Sequence, residues 1–166
     1  MAAGSTYTPL ATTTLGSDTA SYTFSSISGS YTDLILLSSV SSTHSGTTSF
    51  VLQFNSDTAT NYSSTRLLGD GSSASSDTDP NITSARLALI GNSSSEFNPV
   101  ITQLNNYSNA TTYKTILTRG NYASGYVTAY SGLWRSTSAI TSVKVFTLAG
   151  NLRTGSTFTL YGIAAA

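Results

Sequence analysis

"NYASGYVTAYSGLWRSTSAI", residues Asn121 to Ile140, is the stretch on which the fold class turns. Tyr122, Tyr126, Tyr130 and Trp134 recur at intervals of four, which places side chains on one side of a strand and roughly on one side of a helix as well. Gly125, Gly132, Val127 and Thr128 decide between the two, because glycine and β-branched residues are poor helix formers. A strand over Tyr126–Trp134 follows, with Tyr126, Tyr130 and Trp134 on one face and Val127, Ala129, Ser131 and Leu133 on the other. One face must meet a core, and composition does not say which. The rings either line an inner sheet with their hydroxyls at its rim, or form an exposed row that holds a sugar ring or centres a protein interface. Tyr122, Tyr126 and Tyr130 are therefore the candidate interface or glycan contacts.

The rest of the chain repeats the strand signature. Short β-branched and aromatic runs alternate with Gly, Asn, Asp and Ser, at Ala20–Ile27, Thr32–Val40, Ser49–Phe54, Asn61–Leu68, Ser84–Ile90, Pro99–Asn106, Thr112–Thr118, Thr141–Leu148 and Thr157–Ala164. With Tyr126–Trp134 these make about ten short strands and no convincing helix. The pattern predicts an all-β, antiparallel β-sandwich built as a single domain over residues 19–166, preceded by a low-complexity N-terminal arm over residues 1–18. Two connections exceed hairpin length. "GDGSSASSDTDP", Gly69 to Pro80, consists of small and turn-forming residues and should run over the surface, and "GNSSSEFN", Gly91 to Asn98, leads into Pro99 at a strand start.

Composition narrows the function classes. Only 8% of the 166 residues are charged, against about 25% in ordinary soluble domains, and Ser and Thr exceed a third of the chain, so hydroxyls wet its surface. Seven basic and seven acidic residues cancel. The chain thus has neither the field that attracts nucleic acid nor the self-repulsion that separates copies, and its expected partners are protein surfaces. There is no cysteine, hence no disulfide framework and no thiolate metal site. The start has no Lys or Arg ahead of an apolar run, and no stretch approaches the roughly 18 apolar residues of a membrane span, so neither export by a signal peptide nor a membrane partner is expected. The five Asn-x-Ser/Thr triplets, at Asn61, Asn81, Asn92, Asn106 and Asn109, are what so much Ser and Thr makes by chance.

No motif for catalysis or a cofactor stands out, and the chain reads as a non-enzyme. The lone histidine, His44 in "STHSG", sits in turn-like sequence without a G-x-S-x-G elbow. "DTDPN" offers oxygen ligands at Asp77, Asp79 and Asn81, and with Asp70 raises the question of a cation. As an EF-hand loop it fails, because Ile82 stands at the glycine position and Ala88 at the bidentate glutamate position. "GDGSS" lacks the lysine and helix of a phosphate cradle.

Three segments carry a resemblance: "FNSDTATNYS" (Phe54 to Ser63), "GLWRSTSAI" (Gly132 to Ile140) and "GSTFTLYGI" (Gly155 to Ile163). With the flanking sequence they resemble a family of small tailed-phage virion structural proteins, of the kind found in marine phages and cyanophages, over nearly the whole chain. In that family "FNGD" is commoner where this chain has "FNSD". The resemblance implies a jelly-roll-like sandwich displayed on a virion, most often as a homotrimer. By itself it does not choose between capsid and tail; together with the scarcity of charge and the small size it leads us to expect a capsid decoration, or cement, protein on the outer capsid surface whose partner is the major capsid protein, with Met1–Leu15 as a strap. The alternative is a tail-fibre or receptor-binding module that holds host glycan through the aromatic row. It also implies that Trp134, at a strand end before the turn "RSTSA", caps the core, with Tyr122 and Tyr126 nearer the rim.

Overall fold

The computed structural model describes residues 6–164. Among them lie twelve strands and no helix: β1 (Tyr7–Thr14), β2 (Ser21–Phe24), β3 (Asp33–Val40), β4 (Thr48–Phe54), β5 (Tyr62–Gly69), β6 (Ala74–Ile82), β7 (Ala85–Ile90), β8 (Asn98–Leu104), β9 (Lys114–Tyr122), β10 (Tyr126–Trp134), β11 (Val143–Thr147) and β12 (Thr157–Ile163). All pairings are antiparallel, in an eight-stranded sheet of order β1-β12-β3-β8-β9-β10-β5-β6 and a four-stranded sheet of order β2-β11-β4-β7.

Setting aside the β5–β6 and β9–β10 hairpins leaves eight strands in two facing sheets, β1-β12-β3-β8 over β2-β11-β4-β7. This is the double Greek key of a jelly roll. The two hairpins are insertions that both extend the first sheet, doubling its width while the second stays at four strands. The larger sheet therefore overhangs, and β6 at its far edge is exposed on both faces along most of its length.

Two of the twelve strands fall where the sequence reading had none. Within the stretch assigned to an arm, Tyr7–Thr14 is the edge strand β1, laddered to β12 of the same chain with a bulge between Pro9 and Ala11; residues 1–5 of the expected strap lie outside the described residues. Within the stretch assigned to a surface loop, Ala74–Ile82 is β6, paired to β5. Both are edge strands formed by backbone ladders with little burial, so neither carries the alternation of apolar residues that marks a strand in sequence.

Phe50, Leu52 and Phe54 of β4, Val143 and Val145 of β11, Leu34, Leu36 and Val40 of β3, and Phe158 and Leu160 of β12 fill the space between the sheets. The Tyr/Trp face of β10 points into this interior: Tyr130 is 4% and Trp134 2% exposed. "FNSDTATNYS" and "GLWRSTSAI" meet at one end of the sandwich. Phe54 to Asp57 form a tight turn closed by Asp57 N donating to the Phe54 carbonyl at 2.8 Å. Asn55 and Ser56 have φ of 51° and 58°, the left-handed pair of a type I′ turn, where glycine is favoured at the second position. Asn55 donates to the Ala139 carbonyl at 2.7 Å and accepts from Thr141 N at 2.8 Å. Trp134 stacks on Tyr62 at 6.2 Å and donates through Nε1 to Asp57 Oδ2 at 2.7 Å.

Candidate interaction surface

The three candidate tyrosines divide. Tyr130 is in the interior, where burial raises its hydroxyl above the ordinary range. Tyr122 and Tyr126 face each other across the β9–β10 hairpin with ring centroids 6.3 Å apart, and both are half-buried. The Tyr122 ring lies against two glycines: a Cβ on Gly91 would come within 2.3 Å of it and one on Gly125 within 3.1 Å. Much of its surface is thereby committed to packing. Tyr126 lines a cleft of 510 Å³ between the hairpin and the β5–β6 turn. The structure thus brings Tyr122 and Tyr126 together at the rim and takes Tyr130 away from them.

The aspartates are each engaged separately. Asp70 accepts from Ser72 N at 2.8 Å and Ser73 N at 2.6 Å, bonds that lower its carboxyl below the usual value and shape the β5–β6 turn. Asp77 pairs with Arg66 at 2.5 Å and Asp79 with Arg86 at 3.1 Å. Among the described residues no three His, Asp or Glu gather as a metal site would require.

A surface that sequence reading missed is the outer face of the eight-stranded sheet. Cross-strand register sets Leu67, Ala129, Arg119, Ile101 and Leu37 side by side across β5, β10, β9, β8 and β3. The next row holds Ser131, Leu117, Gln103 and Ile35. Of the large hydrophobic residues left exposed, Val127 (67%), Leu67 (65%), Leu117 (56%) and Leu37 (38%) all lie here. Arg119 is the charge at the centre and Asp33 the charge near one end. Two shallow hollows flank Arg119, one of 220 Å³ between Ile101, Leu117 and Ala129, the other of 260 Å³ between Pro99, Ile101 and Val127. The signal was present in the sequence as Val127 and Leu117 opposite core-facing positions, but an outward Leu on a strand does not announce its neighbours.

The outer face of the four-stranded sheet is built differently. Val51 there is fully covered, Gln53 is anchored to the Thr83 carbonyl at 2.9 Å, and Lys144 folds over the Phe146 ring at 5.1 Å. Long polar side chains close this face from within the chain.

No protein-family model matches the chain, and no curated protein does. Among solved structures it is similar to an exo-inulinase from Aspergillus awamori, at 13% identity and a TM-score of 0.48, over 95% of this chain and 29% of that one. The chain thus spans less than a third of that protein's length.

Proposed function

We propose that the protein is a phage virion structural protein of the capsid decoration kind, a symmetric oligomer that binds the major capsid protein and stabilises the assembled shell. The observation that supports this reading is a wide, weakly charged outer sheet face on which exposed Leu and Val stand among Ser, Gln and a single Arg, a surface suited to joining copies into an oligomer, on a molecule with net charge zero. Large apolar side chains left exposed together on one face mark a contact site with protein. A module that binds only assembled shell subunits stabilises the assembly by mass action, and several linked copies strengthen the contact by avidity. With few ions to screen, that contact should hold at high salt. The role is binding, without turnover.

The test is to strip purified particles stepwise with mild denaturant and count this protein against the major capsid protein by quantitative mass spectrometry. Copies in the hundreds, lost together with the shell's heat resistance, are expected. A few dozen copies leaving with the tail would instead favour a receptor-binding module, for which Tyr122, Tyr126 and the cleft they line are the remaining glycan contacts.

A further inference from the structure

We infer that the outer face of the eight-stranded sheet is the seat of a second copy of this chain, packed sheet to sheet. The inference concerns the oligomer within the reading above and does not depend on the virion. Eight strands about 4.8 Å apart, each about seven residues long at about 3.3 Å per residue, give a face on the order of 800 Å². A stable two-chain interface uses about 800 Å² from each partner. The outer face of the four-stranded sheet offers no such area: it is half as wide, and Gln53 and Lys144 fold onto parts of it.

Three features favour an identical copy over an unlike protein. The face is both knob and hole, since Leu117 and Val127 stand out beside the hollows of 220 and 260 Å³, so each copy can fill what the other leaves open. The face carries one charge of each sign, Arg119 and Asp33, and the whole chain is neutral, so no net charge separates two copies. An unlike partner would ordinarily be selected by a patterned rim of charge, which this face lacks. A face set against its own copy makes an isologous, two-fold contact that closes at two chains.

Sedimentation of the full chain at concentrations on the order of 10 µM should give the mass of two chains. Leu117→Asp, which places a carboxylate at the centre of the contact, should return the mass of one, weakening association by about 100-fold or more. Leu148→Asp, equally solvent-facing but off this sheet, should leave two. Far-UV circular dichroism and the thermal midpoint establish that each variant is folded; Val127→Asp serves if Leu117→Asp is not. A wild-type monomer, a trimer, or a dimer that survives both aspartates overturns the inference. A monomer found in hundreds of copies per particle would refute the sheet-to-sheet contact and leave the decoration reading standing; a dimer missing from the shell would do the reverse.

Discussion

The end of the sandwich where "FNSDTATNYS" meets "GLWRSTSAI" and the outer face of the eight-stranded sheet are opposites in composition and in use. The first is dense in distinctive residues, and every one that can be followed is occupied: Asn55 with Ala139 and Thr141, Asp57 with Trp134, Tyr62 with Phe54. The second mixes ordinary Leu, Val, Ile and Ala with Ser, Gln and a single Arg, and Leu37, Leu67, Leu117 and Val127 stand exposed on it. The segments on which the resemblance rests thus hold the fold, and what the outer face presents is chemically plain. A turn needs particular atoms at particular places, whereas an apolar contact needs only area and shape.

The comparison predicts that changes at the turn end alter stability and leave association alone, while changes on the outer face do the opposite. Trp134→Ala removes a ring packed on Tyr62 and Phe54 together with its bond to Asp57. Denaturant unfolding should show a loss of about 3–5 kcal/mol. Asp57→Asn leaves an amide group facing the Trp134 and Asn61 donors and should cost about 1–3 kcal/mol.

The pH dependence of the same site is a second check. Partial burial works to raise the Asp57 carboxyl, and bonds from Asn61, Trp134 and Ala59 outweigh it and hold it below 3.8. A carboxyl depressed in the folded state contributes stability that is fully present above its unfolded value and is lost as pH falls through the folded one. Wild-type protein should therefore lose stability as pH drops below about 4, and Asp57→Asn should flatten that loss in a urea-midpoint series.

The smallest effect expected is a gain. Ser56→Gly relieves a side chain held at φ 58° and should add about 0.5–1 kcal/mol, since the left-handed strain removed exceeds the added freedom of the unfolded chain. Trp134→Ala or Ser56→Gly altering the sedimenting mass of folded protein would break the separation between the two regions.

Much of the fold was legible in the chain. The spacing of four in Tyr126–Trp134, read through Gly125 and Gly132, gave the observed strand bounds, and the alternation of Phe50, Leu52 and Phe54 marked the core face of β4. Ring burial at Trp134 was expected from its place before the turn "RSTSA", and it is 2% exposed. Edge strands β1 and β6 were not legible, because a ladder on one side and solvent elsewhere imposes no pattern on Thr, Ser and Asp. Tyr130 could not be separated from Tyr122 and Tyr126 by spacing alone, because burial depends on how far along the strand the opposing sheet reaches.

By itself the sequence determined that this is an all-β chain of antiparallel strands with few charges and none in net, since period-two alternation and turn residues act over a few neighbours. The left-handed pair at Asn55 and Ser56 was not legible in it, since Ser56 is locally disfavoured there and the turn is held by the bonds of Asn55 to Ala139 and Thr141. Only the tertiary structure decided that two inserted hairpins widen the same sheet, and hence that Leu37, Leu67, Leu117 and Val127, spread over ninety residues of chain, lie together on one face. Register between distant strands creates that surface, and no window of sequence contains it.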